Sequence, residues 1–180
     1  MATKFYIDTN KSSISWIGKK VTGQHHGTIN IQSGYIAEED GNIQSGEILI
    51  DAKSIVVLDV KDKPTNDQFA GHLASDDFFA SDKFPLIAYK ILSSTKLEGN
   101  KHKVYGNLII KGVSQAQGFD ALIVLKPNSL NAKGEIIVDR TKFDMRFRSG
   151  NFFQNLGDTL IHDDFTLDVK IEARPSTASL

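Results

Sequence analysis

Five histidines and 22 acidic side chains are the residues of this chain best suited to binding a metal ion or transferring protons. The densest group is His162-Asp163-Asp164, which suggests a metal site or an acid–base pair. Its spacing matches no zinc motif such as His-Glu-x-x-His, and the Gly-x-Ser-x-Gly motif of serine hydrolases is absent. The His and Asp residues still leave open, as an alternative function, a hydrolase or a metal-dependent enzyme. We predict no catalytic residue, no metal ligand and no cofactor.

Composition excludes several classes of protein. The chain has no cysteine, so disulfides, thiolate catalysis and cysteine-ligated metals are excluded. Its formal net charge of -1 does not favour nucleic acid as a partner. No apolar run approaches the roughly 18 residues that a membrane span needs. Because Met1-Ala2-Thr3-Lys4 shows no apolar signal segment, we expect a cytoplasmic protein if Met1 is native and a periplasmic one if a signal peptide was removed.

Alternation of apolar and polar residues is the dominant pattern of the chain. It is clearest in Phe165-Thr166-Leu167-Asp168-Val169-Lys170-Ile171, which predicts a strand with one apolar face. Eight such strands are predicted, with short turns between most of them: 12–21, 25–35, 42–51, 86–96, 102–111, 115–125, 133–140 and 163–173. They indicate an all-β, antiparallel, up-and-down sheet that closes into a barrel or splits into a sandwich. We expect one domain over residues 1–174 and a frayed tail over 175–180.

Two segments, 65–85 and 141–162, interrupt the strands and hold eight of the 11 phenylalanines. In the first segment, Thr65 and Gln68 match a capping box, which predicts a short helical segment near 66–80. An up-and-down path places both segments at the same upper rim of the barrel. Loops seldom carry so many aromatic rings unless they cover something apolar. The rings therefore either plug the barrel or surround the mouth of an apolar cavity.

Side-chain parity separates the residues that face the interior from those that face solvent. An eight-stranded barrel is wide enough for one small ligand, and ligand pockets combine apolar walls with a few polar groups. The predicted polar rim, which would contact a head group, consists of His25, His72, Lys111 and Arg140. The predicted lining of the ligand cavity consists of Trp16, Ile29, Ile31, Ile48, Ile50, Phe78, Phe79, Leu108, Ile110, Ile136, Val138, Phe143, Phe165 and Leu167.

The rim residues also have structural interpretations. Arg140 could bind a phosphate or carboxylate in bidentate fashion with Lys111 nearby, or it could form a salt bridge that joins rim segments. Candidate partners for such a bridge are Asp77, Asp139 and Asp163. His72 could contact a head group, or it could cap or pack a helical turn.

A purely structural domain with a filled core is a third possibility. The inward-facing glycines argue against it, because they leave space that side chains would otherwise occupy: Gly18, Gly46, Gly106 and Gly134. Glycine in a barrel strand also allows simple bending, so both interpretations stay open.

Several short motifs follow one another along the chain. Their order and spacing together are more specific than any single motif. The most specific is His72-Leu73-Ala74-Ser75-Asp76-Asp77-Phe78-Phe79. The others are Tyr6-Ile7-Asp8, His26-Gly27, Phe84-Pro85, Gly106-Asn107-Leu108-Ile109-Ile110-Lys111-Gly112 and Asp139-Arg140-Thr141-Lys142-Phe143. With these motifs, the chain resembles the YceI-like polyisoprenoid-binding family over nearly its whole length.

The resemblance implies an extended lipocalin-like barrel of eight antiparallel strands. It also implies that the interior binds a long-chain isoprenoid or similar amphiphilic lipid, which the protein carries or sequesters with the polar head at the rim. Export to the periplasm and a homodimer are further implications, and the protein is not expected to be an enzyme. Where the family often has Phe-Gly-Ile, this chain has Phe143-Asp144-Met145, which adds a charge to the second rim segment.

Overall fold

A computed structural model describes residues 2–175 of the chain, and within them it contains nine strands and one α-helix. The strands are β1 (Thr3–Ile7), β2 (Ser13–Lys20), β3 (Gly23–Glu39), β4 (Asn42–Val57), β5 (Leu86–Lys96), β6 (Lys101–Ile110), β7 (Val113–Lys126), β8 (Ser129–Asp139) and β9 (Ile161–Arg174). Helix α1 (Lys63–Ala74) precedes β5, and two short 3-10 helices, Arg140–Phe143 and Gly157–Thr159, lie between β8 and β9. None of these helices is long and apolar enough to cross a membrane. Of the predicted frayed tail, 176–180 lies outside the described residues.

The strands pair antiparallel in a closed circle. From β2 the pairing passes through β9, β8, β7, β6, β5 and β4, and β3 joins β4 back to β2. Because the sheet closes on itself, it leaves no long unpaired edge. This confirms the predicted eight-stranded, antiparallel, up-and-down barrel. The end that carries the β2–β3 and β6–β7 turns is called the upper end below.

The ninth strand does not add a position to the barrel, because β1 and β2 lie end to end. Both pair with β3 on one side and with β9 on the other. Between them the chain turns, and Asp8 Oδ1 accepts a hydrogen bond from Asn10 N at 3.0 Å. Ser12 Oγ then accepts from Glu172 N at 3.0 Å, which returns the chain to the β9 ladder.

Three glycines expected to leave space in the interior have a different role. A Cβ would lie 2.8 Å from Tyr35 O at Gly46 and 2.3 Å from Lys90 O at Gly106. At Gly134 it would lie 2.8 Å from a carbonyl oxygen of β7. These glycines allow neighbouring backbones to approach closely rather than opening a cavity.

Helix α1 begins earlier than the predicted capping box. Asp62, not Thr65, is the N-cap, and its Oδ2 accepts hydrogen bonds from Thr65 N at 3.2 Å and from Thr65 Oγ1 at 2.5 Å. Pro64 stands in the first turn, where its missing N–H breaks no helical bond. The helix ends at Ser75, whose N donates to His72 O at 3.1 Å. No residue of α1 is fully buried.

The lower end of the barrel contains a buried histidine. His102 begins the inward face of β6 and is 4% exposed. Within the described part of the chain, its Nδ1 has no hydrogen-bond partner. Burial, aided by the positive charge of Lys96, lowers the pKa of His102 from its usual value. The folded protein therefore favours the neutral imidazole.

We expect His102 to make stability fall in mild acid. Because its pKa is lower in the folded state than in the unfolded chain, the unfolded chain binds the proton more readily. Stability should be complete above the unfolded value of about 6.5 and should decline as the pH falls toward the folded pKa. Urea denaturation at about pH 7.5 and about pH 5.5 measures the difference in the free energy of unfolding between the two conditions. His102→Leu should reduce it, whereas His26→Gln, at an exposed histidine, should leave it intact. Equal pH dependence in wild type and His102→Leu would contradict the assignment.

Candidate functional site

The upper half of the barrel encloses an apolar cavity of about 380 Å³. This volume lies within the range of small-molecule pockets. The predicted residues that line it are Trp16, Ile29, Ile50, Phe78, Phe79, Leu108, Ile110, Phe165 and Leu167. Apolar lining residues that were not predicted include Ile14, Ile55, Phe69, Leu73, Ile87, Met145, Phe147 and Ile161. Several of these belong to the helix and loops at the mouth, whose direction strand parity does not predict.

A second apolar void of about 60 Å³ lies below the cavity. Ile48 and Ile136, which were predicted to line the ligand cavity, line this lower void instead. Four side chains line both spaces and separate them, and we call them the collar: Ile14, Ile50, Leu108 and Leu167. The interior is therefore divided at mid-height, and the larger space is the one that opens at the upper end.

Three other predicted cavity residues line neither space. Ile31 and Val138 face inward as predicted, but at 7% and 0% exposure they belong to the packed core. Phe143 lies in a 3-10 helix after β8 and is 1% exposed. Parity gives the direction of a strand side chain but not whether its neighbours fill the space in front of it. Ile31, Val138 and Phe143 therefore belong to the packed core and, contrary to the prediction, do not line the cavity.

Trp16 and Gly18 shape one wall of the cavity. The indole Nε1 of Trp16 donates a hydrogen bond to Thr28 O at 3.3 Å, which fixes the ring. Gly18 faces inward on the same strand, and a Cβ there would have only Trp16 Cζ3 near it, at 4.0 Å. Unlike the other three predicted glycines, Gly18 therefore does leave open space.

Aromatic rings of both irregular segments meet at the mouth. Phe69 of α1 packs edge-on against His25, with ring centroids 4.6 Å apart. His72 packs against Phe147 at 4.6 Å and against Phe78 at 5.1 Å. Since Phe147 comes from the second segment, the two segments form one aromatic cover. This packing uses three of the eight phenylalanines in the two segments.

Both predicted rim histidines line the cavity, and each is bound to a carboxylate. His25 Nδ1 lies 2.7 Å from Asp59 Oδ2, and His72 Nε2 lies 2.9 Å from Asp77 Oδ2. Asp59 also accepts from His26 N at 3.0 Å. Burial alone would raise the pKa of Asp59, but the hydrogen bonds from His26 N and His25 outweigh it and lower the pKa. The histidines thus hold the cover in position as well as facing the cavity.

Lys111 lies at the rim of the barrel and does not line the cavity. It lies in the β6–β7 turn with a left-handed φ of 53°, which directs its side chain over the rim. Its Nζ donates to Asp76 O at 2.7 Å and to Asp144 O at 2.9 Å. Lys111 therefore connects the first irregular segment to the second.

Arg140 is buried beside the cavity and binds backbone carbonyls. It is 3% exposed, and its guanidinium donates to Met145 O at 2.7 Å, His162 O at 2.9 Å and Ile161 O at 3.1 Å. Burial lowers the pKa of Arg140, while the nearby carboxylates of Asp163 and Asp139 act in the opposite direction. No salt bridge within 4.0 Å joins Arg140 to a carboxylate among residues 2–175. It joins rim segments as one interpretation predicted, but through carbonyls instead of a salt bridge.

A second polar contact fixes the loop before β9. Ser149 is fully buried, and its Oγ donates to Asp163 Oδ1 at 2.5 Å. Asn151 Nδ2 donates to the other oxygen of Asp163 at 2.6 Å. Asp163 therefore faces this loop, whereas its neighbours His162 and Asp164 line the cavity.

Additional charged residues line the mouth: Lys19, Lys20, Arg148, Asp158 and Asp164. Sequence analysis singled out only Asp164 among them, as part of His162-Asp163-Asp164. Lys19 and Lys20 are adjacent, so regular alternation would place them on opposite faces. The register between β2 and β9 shifts between Gly18 and Lys20, and this bulge brings both lysines to the mouth. With Arg140 included, cationic side chains outnumber carboxylates in the lining.

Two findings on the polar groups of residues 2–175 concern hydrolysis and metal binding. Among the described residues, His25 and His72 are bonded to carboxylates and not to a hydroxyl nucleophile. Residues 2–175 contain no group of three or more His, Asp or Glu side chains that could hold a metal ion.

We expect Arg140→Ala to destabilise the mouth. The change removes three hydrogen bonds and leaves their carbonyls unpaired, at about 1 kcal/mol each, or about 3 kcal/mol in total. Urea denaturation measures the loss, and limited proteolysis should show earlier cleavage within 144–160. Arg146→Ala, which removes an exposed arginine 3.7 Å from Asp144, should change stability by less than about 0.5 kcal/mol. If Arg140→Ala kept wild-type stability and lost only affinity for anions, the structural role assigned to Arg140 would be refuted.

Known proteins share both sequence and architecture with this chain. A model of the YceI-like domain matches residues 5–173. UPF0312 protein SAB2563 of Staphylococcus aureus is 33% identical over 81 residues, which is 45% of this chain. In that match, the chain spans 43% of the length of the curated relative.

Three solved structures share the fold at low sequence identity. BcnA of Burkholderia cenocepacia has a TM-score of 0.71 at 21% identity, covering 93% of this chain and 99% of that one. A polyisoprenoid binding domain from Saccharophagus degradans has a TM-score of 0.69 at 12% identity, covering 94% and 97%. The Campylobacter jejuni YCEI protein has a TM-score of 0.61 at 20% identity, covering 81% and 83%. With its domain match across almost the whole barrel, the chain belongs to the YceI-like family.

Proposed function

We propose that this protein binds an amphiphilic lipid of the isoprenoid type and carries or sequesters it. The observation that carries the proposal is the apolar cavity of about 380 Å³, enclosed by the barrel and bordered by charged side chains at its mouth. The apolar tail would occupy the cavity and the polar head would remain at the mouth. The similarity to a polyisoprenoid binding domain from Saccharophagus degradans supports this ligand class.

Burial of the tail is sufficient to drive binding. A tail that buries about 400 Å² of apolar surface gains about 10 kcal/mol at 25 cal/mol per Å². Loss of translational freedom and ordering of the tail offset much of this gain. The tail would thus determine affinity, and the groups at the mouth would determine which head is accepted.

The lining favours an anionic head. Lys19, Lys20 and Arg148 reach the mouth from two directions, and Asp158 and Asp164 are the carboxylates that accompany them in the lining. The Arg140 guanidinium, which forms three hydrogen bonds to carbonyls, contributes a fixed positive charge in the wall. A phosphate or carboxylate head would gain from this excess of positive charge.

The collar limits the length of the tail. Above it the cavity can accept a chain, whereas below it the void of about 60 Å³ is separate and small. A tail that reaches the collar must displace Ile14, Ile50, Leu108 or Leu167, or bend back. We therefore propose a tail that ends near mid-height of the barrel.

We also propose that the protein binds without catalysing a reaction. Of the three histidines that line the cavity, His25 and His72 are engaged by Asp59 and Asp77, and neither has a hydroxyl nucleophile bonded to it within residues 2–175. Hydrolysis of a farnesyl ester by the wild type, lost in His72→Ala with the ester still bound, would contradict this proposal.

Trp16 provides a direct readout of cavity occupation, since it is the only tryptophan of the chain. A spin-labelled fatty acid that enters the cavity should quench Trp16 fluorescence saturably. Farnesyl phosphate should reverse the quenching by competition. Quenching that grows linearly without saturation, or that farnesyl phosphate does not reverse, would count against a binding site beside Trp16.

We expect Gly18→Val to weaken binding without unfolding the protein. The new side chain occupies open space beside Trp16 and removes volume from the cavity. Valine is also favoured over glycine in a strand, so stability should be maintained. Calorimetric titration with farnesyl phosphate should show at least about tenfold weaker binding, the equivalent of two lost methylene contacts. Ser15→Val, on the outer face of the same strand, should bind as the wild type does. Equal affinity in Gly18→Val would place the ligand elsewhere.

We expect Leu108→Ala to extend the range of tails that bind. In a series from lauric to arachidic acid, wild-type affinity should rise by about fourfold per buried methylene and then level off. Removing a collar side chain joins the two spaces, so the plateau should move to longer acids. Ile31→Ala truncates a core residue that lines neither space, and it should lower stability with no shift of the plateau. An unchanged plateau in Leu108→Ala would show that the collar does not set the length.

A further inference from the structure

Two phenylalanines project into solvent beside the mouth. Phe152 and Phe153 are 47% and 48% exposed, and Val21 of the β2–β3 turn is 53% exposed. Val21 N donates to Leu160 O at 3.2 Å, which holds this turn against the second irregular segment. We call Val21, Phe152 and Phe153 the apolar edge. Exposed apolar side chains near the entrance of a cavity are typical of an interaction surface.

The polypeptide holds the apolar edge in place through a hydrogen-bonded turn. Phe152 N and Phe153 N both donate to Ser149 O, at 3.2 and 3.0 Å. The side chain of Ser149 is itself bonded to Asp163 Oδ1 at 2.5 Å. The rings therefore project from a turn that is anchored to β9, although packing them into the mouth would have buried apolar area.

Charge is distributed unevenly around the mouth. The segments that carry the apolar edge, 19–25 and 141–160, contain five basic and two acidic side chains. The segment 58–85, which includes α1, contains three basic and six acidic side chains. Within the part of the chain that the structure describes, Lys19, Lys20 and Arg148 form no ion pair with a carboxylate closer than 4.0 Å. They are therefore available to an external anion.

We propose that the apolar edge docks on the surface of an anionic lipid bilayer. Phenylalanine side chains enter the headgroup region while neighbouring lysines and arginines contact lipid phosphates, as in interfacial membrane anchors. The acidic segment 58–85 is repelled by the same surface, so the barrel tilts with the apolar edge toward the bilayer. In this orientation the cavity opens toward the bilayer, and an insoluble ligand can pass between them without crossing water.

Charge complementarity selects this partner over a neutral surface. A neutral bilayer would engage the phenylalanines alone, whereas an anionic one also engages the basic side chains. Attraction between exposed charges and a surface is screened by salt, so docking weakens as ionic strength rises. A second copy of the chain would have to bring like charges together at the same edge, which opposes self-association there.

The test is sedimentation of the full chain with vesicles of phosphatidylcholine, with or without phosphatidylglycerol. We expect binding to the anionic vesicles to be at least about tenfold stronger, equivalent to about two basic residues at the surface, and to fall at high salt. The double substitution Phe152→Ser and Phe153→Ser should reduce it about tenfold or more. The matched control, Leu92→Ser with Leu122→Ser, changes exposed leucines on the barrel wall and should have no effect.

Calorimetry with farnesyl phosphate separates this proposal from the proposed function. The phenylalanine double variant should bind the soluble ligand as the wild type does, because neither ring lines the cavity. Equal sedimentation with both kinds of vesicle, or no loss in the phenylalanine variant, would overturn docking while leaving ligand binding intact. Sedimentation velocity tests the remaining candidate partner, which is a second copy of the chain. A dimer that dissociates in the phenylalanine variant, without vesicle binding, would assign the edge to self-association and overturn the proposal.

Discussion

Pairing between β3 and β4 is the interaction on which the rest of the molecule depends, because it closes the sheet. It extends along almost the whole of both strands, from Gly27 opposite Val57 to Glu39 opposite Asn42. A Cβ at Gly27 would lie 1.7 Å from Val56 O, so the strands can meet at the upper end only where one residue has no side chain. Closure gives the barrel an inside, and the apolar faces of the strands then have a common space to line.

Whether the interior is filled by side chains or open depends on the height within the barrel. Below mid-height, inward side chains fill the interior and leave a void of about 60 Å³. Above it, Gly18 withholds a side chain and the walls separate into a cavity of about 380 Å³. The two irregular segments then form the mouth, held by Arg140, Lys111 and Asp163 through backbone and side-chain hydrogen bonds. The buried Arg140 and Ser149 stabilise loops at the mouth, and the exposed cations there are the groups that we propose a ligand or a surface engages.

The amino-acid sequence was sufficient to predict the barrel and many of the residues on its inner face. Alternation in β9 predicted both the strand and the inward direction of Phe165 and Leu167, because direction is a local property. Alternation along the strands did not predict that Val138 would be packed into the core while Leu108 lines the cavity, since packing depends on side chains from distant strands. The bulge that brings Lys19 and Lys20 to the mouth appears only in the β2–β9 register. Membership of the YceI-like family is confirmed, whereas the cellular compartment and a homodimer stay predictions.

The central claim is that the upper cavity is occupied by an amphiphile in the cell. Native mass spectrometry of protein purified without detergent tests it most directly, with organic extraction of the same sample to identify any released molecule. The account predicts an added mass that disappears on extraction and is recovered as a lipid with one apolar tail, in reduced amount from Gly18→Val. Protein that carries no such mass, and acquires none when incubated with isoprenyl phosphates, would contradict it.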